Sequence, residues 1–160
     1  MRGGKWLINK FKHYLFSRYD PQRVDWCFTE IKNIIIRSLQ AVQKNILPSR
    51  NSFELYGYDF MIDESLKPWL IEINGGPSMT ANTPFDCRLK CGLIDDVLTI
   101  IDIEGILEGT EMNVGGFDLI IDKGIKVVQS KYSCYTGLLG AKNQRLDVIR
   151  HLVKKFMSRK

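Results

Sequence analysis

The run from Phe53 to Asn74, FELYGYDFMIDESLKPWLIEIN, constrains this chain more than any other stretch. Two strand-like segments, about 53–62 and 67–74, flank the polar turn Asp63-Glu64-Ser65-Leu66, which is the pattern of an antiparallel hairpin. Asp59, Glu72 and Asn74 interrupt the apolar alternation. Carboxylates are poor strand residues and costly to bury unpaired. Side chains alternate across a strand, so Glu72 and Asn74 share one face, and a hairpin folding near Ser65 places Asp59 opposite Glu72 and Gly57 opposite Asn74. Cross-strand neighbours on one face lie about 4.5–5.5 Å apart at Cβ. Two carboxylates that close repel unless a cation neutralises them. Two carboxylates and an amide oxygen, with no thiolate or imidazole, form a hard donor set that suits Mg²⁺. The competing expectation is a solvated polar face of a one-sided sheet.

Around the hairpin, periodicity predicts helices. Lys5–Phe16 reads as a short one, stopped by Asp20-Pro21. Phe28, Ile31, Ile35, Leu39, Val42 and Ile46 recur at helical intervals from about Val24 to Leu47, where Pro48 closes the pattern. Pro68 is acceptable as the first residue of the second strand, and Trp69 and Tyr58 are expected in the core, as strand aromatics usually are. Gly75-Gly76-Pro77 forces a loop. Thr83 is a plausible N-cap for a helix from Pro84 or Phe85 to about Ile103, with Leu89, Leu93, Val97 and Ile100 inward. Beyond Gly105 the pattern weakens to one short edge strand in Gly115–Ile121 and a basic amphipathic helix over 142–157. The class expected is α+β, an antiparallel hairpin packed by helices, with a first domain over residues 1–105 and an extension over 106–160.

Charge is unevenly distributed within the net +5. Residues 1–50 carry ten basic and three acidic side chains, residues 51–110 three and eleven, and residues 111–160 ten and four. An acidic centre between basic ends is unlike the continuous basic stripe of a nucleic-acid module, so no nucleic-acid partner is expected. The flanks, including the 142–157 helix, are suited to attract a polyanion. No apolar run reaches the length of a membrane span, and Arg2-Gly3-Gly4-Lys5-Trp6 after Met1 is no secretory leader. Cys27, Cys87, Cys91 and Cys134 form no CxxC pair. Cys87 and Cys91 share a helix face but fall two ligands short of a zinc site, so reduced thiols of a cytoplasmic protein are expected.

Tyr56-Gly57-Tyr58-Asp59, Ile62-Asp63, Leu66 through Glu72, Asn74, Pro77 and Ser78 resemble the C-terminal catalytic segment of the tubulin tyrosine ligase-like enzymes, whose pattern is YGYD-x-x-ID…LKPWLIEVN-x-SPS. Gly3-Gly4-Lys5-Trp6, the Ile34–Lys44 segment and Val114-Gly115-Gly116-Phe117-Asp118-Leu119 extend the resemblance, closest to the family's member-nine polyglutamylase branch. The resemblance implies part of the C-terminal lobe of an ATP-grasp fold and an ATP-dependent carboxylate–amine ligase. Such an enzyme phosphorylates a glutamate side chain of an acidic tubulin tail to an acyl phosphate, which the amino group of free glutamate attacks. It further implies ATP and Mg²⁺ as cofactors, Asp59, Glu72 and Asn74 as magnesium and cofactor ligands, and Glu72 and Asn74 as catalytic residues. Tubulin and microtubules are the implied partners, and the cytoskeleton, cilium or flagellum the implied location. Gly75-Gly76 replaces the family's usual Ala-Ser, and the family's upstream nucleotide lobe has no counterpart here. The chain is therefore expected to be the downstream part of a longer enzyme, inactive alone. The alternatives are a non-catalytic copy that binds tubulin or a partner, and a tubulin glycine ligase.

Overall fold

A computed structural model describes residues 4–46, 49 and 52–122, and the backbone of 125–126. The predicted 142–157 helix and Pro48 lie outside the described residues. The architecture is α+β, with helices and small antiparallel sheets, and it falls into two compact units. The first holds α1 (Ile8–Phe16), α2 (Pro21–Val42, continued by a 3₁₀ turn Gln43–Asn45), the hairpin β1 (Gly57–Ile62) and β2 (Pro68–Asn74), and the later pair β5 (Ile121–Asp122) and β6 (Ile125–Lys126). The second holds α3 (Pro84–Ile101) and the hairpin β3 (Asn113–Val114) and β4 (Phe117–Asp118).

α1 ends at Phe16 with Ser17 as its C-cap, ahead of the expected stop at Asp20-Pro21, and that pair instead starts α2, three residues before the position that periodicity indicates. The Asp20 carboxylate accepts from the backbone N–H of Gln22 at 2.9 Å and of Arg23 at 3.3 Å, and Pro21 occupies the first turn, where its missing N–H costs nothing. One stripe of α2 then enters the core. Val24, Cys27, Phe28 and Ile31 cluster with Leu15 of α1 and with Leu66 from the hairpin turn, and Phe60 and Ile62 of β1 pack against them. Burial pushes the Cys27 thiol up to about 11, with the Asp63 charge adding to the shift. Lys12 is buried as well, its ammonium 4.9 Å from the centre of the Phe28 ring.

The turn between β1 and β2 is organised by one carboxylate. Asp63 Oδ1 accepts from the backbone N–H of Ser65 at 2.9 Å and of Lys67 at 3.0 Å, and from the Ser65 hydroxyl at 2.6 Å. Its Oδ2 accepts from the Trp69 indole N–H at 2.9 Å. Trp69 is thus 49% exposed rather than in the core, because its indole leans over the turn while the Lys67 ammonium covers its ring at 3.8 Å. Tyr58 is half-buried, and its hydroxyl meets the Ser38 hydroxyl of α2 at 2.9 Å. The Arg23 guanidinium donates to the Ser65 carbonyl at 3.0 Å and fixes the turn to the start of α2. The chain then takes Leu66 through φ 64° and drives its side chain into the core, where it is 2% exposed.

In the second unit the Thr83 hydroxyl caps α3, accepting from Asp86 N–H at 3.1 Å, and Asp102 ends it in a left-handed conformation at φ 51°. The buried stripe matches the one expected only in part, with Val97 buried and Leu93 half-buried. Leu89 and Ile100 are exposed, and the covered residues among those described are Asp86, Asp96 and Val97. The cause is polar: the Asp96 carboxylate accepts from the Gly116 N–H at 2.9 Å, which turns that side of α3 toward the β3–β4 hairpin. Gly115-Gly116 is the turn of this hairpin rather than part of one edge strand. Gly115 adopts φ 58°, and a Cβ there would collide with the Asp96 carboxylate, so glycine is required on both counts.

Two outcomes follow for the first unit. Replacing Leu66 by Ala leaves a cavity among Leu15, Val24 and Phe28, and the loss in urea-unfolding free energy should be about 2–5 kcal/mol; a loss well below that range would show that Leu66 does not anchor the turn. Hydrogen bonds from the Ser65 and Trp69 side chains and the turn backbone lower the Asp63 carboxyl to about 2. A depressed carboxylate stabilises the fold fully above its unfolded value of about 3.9, and that contribution disappears as pH falls toward the folded value. The gap in urea midpoint between wild type and Asp63→Asn should therefore shrink between about pH 4 and pH 2. A gap constant over that window would remove Asp63 from its role in the turn.

Candidate metal-binding face of the hairpin

The register brings the three predicted residues together. Gly57 pairs with Asn74, and Asp59 with Glu72. Nearer the turn the pairing is Phe60 with Leu70, Met61 with Trp69 and Ile62 with Pro68, so Ile71 is left without a partner as a bulge in β2. This single residue decides what the sheet presents. Counted outward from Ile62–Pro68 without a bulge, Asp59 would oppose Ile71, and Glu72 would point to the opposite face. The extra residue reverses the alternation. Asp59, Glu72 and Asn74 then share a face with Gly57, Met61 and Trp69, while Tyr58, Phe60 and Ile62 face the core side.

All three polar residues are exposed. The Asn74 amide nitrogen donates to Glu72 Oε1 at 3.2 Å and, more weakly, to Asp59 Oδ2 at 3.4 Å. One neutral donor thus bridges two carboxylates that would otherwise repel. Turning the amide about χ2 exchanges Nδ2 for Oδ1, which converts this bridge into a third oxygen facing the same point. Among the described residues no three His, Cys, Asp or Glu side chains gather into a metal site; this face reaches three donors only through Asn74. Two carboxylates and an amide oxygen, open to solvent, fit a small hard cation that keeps several waters and takes its remaining ligands from phosphate oxygens. They do not fit a soft metal.

Gly57 leaves less room than its place opposite Asn74 indicates. A Cβ there would lie 3.5 Å from Pro77 and 3.8 Å from the Asn74 side chain, so the Gly75-Gly76-Pro77 loop folds back over this end of the sheet. Sequence reasoning missed the bulge: a regular fold about Ser65 already sets Asp59 opposite Glu72, whereas the observed turn pairs Ile62 with Pro68 and reaches the same Asp59–Glu72 pairing only through the extra residue. It also missed Asp63, which the alternation marks as just another turn residue. No helix among the described residues is long and apolar enough to cross a membrane.

Comparison with known proteins places this hairpin in context. The pattern of the Tubulin-tyrosine ligase family matches residues 1–108. The chain is 41% identical over 167 aligned residues to the probable tubulin polyglutamylase TTLL9 of Bos taurus, covering 99% of this chain and 36% of that protein. It is 40% identical over 130 residues to the probable alpha-tubulin polyglutamylase Ttll1 of Tetrahymena thermophila, covering 76% of this chain and 32% of that one. Similarity to the tubulin polyglutamylase TTLL5 of Homo sapiens is 32% over 107 residues, 62% of this chain and 8% of the other. The chain therefore spans about a third of the length of the TTLL9 proteins that it matches along almost its whole length. On the match over residues 1–108 and this similarity, the chain belongs to the tubulin-tyrosine ligase family.

Proposed function

We propose that this chain carries the magnesium-holding floor of an ATP-dependent tubulin glutamate ligase, within the C-terminal lobe of an ATP-grasp fold over residues 1–105, residues 106–160 being its extension. The observation that carries this reading is the convergence of Asp59, Glu72 and Asn74 on one exposed face through the bulge at Ile71. Similarity to proteins named tubulin polyglutamylases supports the choice of tubulin as substrate and glutamate as the residue added.

The reaction joins the carboxyl group of a tubulin-tail glutamate to the amino group of free glutamate. The carboxylate takes the γ-phosphoryl group of ATP, ADP leaves, the amine attacks the acyl phosphate, and inorganic phosphate and a proton are released. Negative charge crowds on the phosphates throughout, and its neutralisation is the main demand on the protein. Bound Mg²⁺ supplies that neutralisation. Asp59 and Glu72 present the two charged oxygen donors from paired strands, so their spacing is set by backbone hydrogen bonds rather than by a loop. Asn74 presents the neutral donor, and its amide must turn from bridging the carboxylates to offering Oδ1. Glu72 and Asn74 are therefore the residues on which phosphoryl transfer depends most. The basic flanks of the chain favour the approach of an acidic tail, with a cytoskeletal and ciliary setting.

The test is an assay of the full-length gene product with ATP, Mg²⁺, tubulin and labelled glutamate or glycine. Wild type should incorporate glutamate, and Glu72→Gln combined with Asn74→Ala should lower incorporation by at least about a hundredfold. Full activity in the double variant would disprove the ligand assignment. Incorporation of glycine instead of glutamate would leave the ligands in place but overturn the glutamate reading.

A further inference from the structure

Helix α3 carries a second candidate site with the opposite chemistry. Cys87 and Cys91 lie one helical turn apart, both exposed, with their sulfurs 4.0 Å from each other. Together with Met79 and Lys90 they line a groove of about 320 Å³. A disulfide does not fit this spacing: residues four apart on a helix hold their Cβ atoms about 5–6 Å apart, whereas a disulfide needs about 3.5–4.5 Å. An ion between the sulfurs does fit. Two metal–sulfur bonds of about 2.3 Å that span 4.0 Å meet at an angle of roughly 120°, the trigonal value, which leaves a third position to be filled from the groove.

We propose that Cys87 and Cys91 form a two-thiolate site for Cu(I), with the Met79 thioether as the third ligand. Softness decides the metal, since thiolate and thioether donors select a cuprous ion. Zinc requires four ligands, and among the described residues no third His, Cys, Asp or Glu joins the pair to make a metal-binding group, although Asp95 lines the same groove. Loading breaks two S–H bonds, forms two copper–sulfur bonds and releases two protons, and the copper stays Cu(I). The loaded pair bears one net negative charge, which the Lys90 ammonium on the groove wall offsets. That ammonium is tethered there by the Thr80 carbonyl and the Asp86 carboxylate. Cys27 is no competitor, being buried in the core of the other unit.

The experiment is an anaerobic titration of the full, reduced chain with Cu(I) against the chromophoric chelator bicinchoninate, read as copper withdrawn from the chelator. Wild type and Cys134→Ser should each hold one equivalent. Cys87→Ser and Cys91→Ser should each weaken binding by at least about tenfold, with unchanged circular dichroism because both side chains are exposed. Met79→Leu should weaken it by a smaller factor. Equal uptake by the Cys87→Ser/Cys91→Ser double variant, loss of the equivalent in Cys134→Ser, or Zn²⁺ displacing Cu(I) from wild type would each overturn the assignment.

Discussion

The hairpin depends on the hydrogen bonds gathered by the Asp63 carboxylate. Four donors converge on its two oxygens, two from the turn backbone and two from the Ser65 and Trp69 side chains. That convergence lets a non-glycine residue, Leu66, hold a left-handed conformation, which ordinarily costs energy. Burial of the Leu66 side chain against α1 and α2 offsets the cost. The turn thereby becomes part of the core, and the strands leaving it inherit a fixed position over α2, reinforced by Arg23 and by the Tyr58–Ser38 contact. Chemistry at the far end of the hairpin then rests on one further device, the unpaired Ile71.

That bulge links architecture to the proposed cation site. A regular two-residue repeat outward from the observed Ile62–Pro68 pair would divide Asp59 from Glu72 and Asn74, with one face unable to hold a cation and the other burdened with polar groups against the core. One inserted residue satisfies both sides: Phe60 and Ile62 stay with the core while the oxygens gather outside. The Asn74 amide then quiets the two carboxylates, so the face tolerates its own charge. In the second unit Asp96 plays a comparable part, since its bond to the Gly116 amide sets which side of α3 is covered.

Much of this was legible in the sequence where a single local rule acts. Phe28 and Ile31 of the α2 stripe followed from helical spacing, though Val42 and Ile46 at its far end are exposed; the start of β2 followed from Pro68, the α3 cap from Thr83, and the pairing of Asp59 with Glu72 from alternation about a turn. Legibility failed where two rules compete for one residue. Asp20-Pro21 reads as a helix stop, yet α1 has already ended at Phe16 and the pair serves as the N-terminal cap of α2. Trp69 has a strand aromatic's preference for the core, but its indole N–H is claimed by Asp63. Leu89 and Ile100 have the right period for an inner face, yet α3 is turned by a polar contact with a hairpin that becomes evident only when Gly115-Gly116 is recognised as a turn. The bulge at Ile71 is a tertiary compromise between turn and core, and no propensity encodes it.

The central claim is that Asp59, Glu72 and Asn74 bind one hard cation together. Paramagnetic broadening of the amide NMR spectrum of the full chain by Mn²⁺, standing in for Mg²⁺, tests it most directly. The account predicts that the backbone amides of Asp59, Glu72 and Asn74 and the Asn74 side-chain amide broaden first, and that Glu72→Gln with Asn74→Ala abolishes this effect. Broadening centred on Asp86, Asp96 or Asp102, with the hairpin resonances sharp, would contradict it.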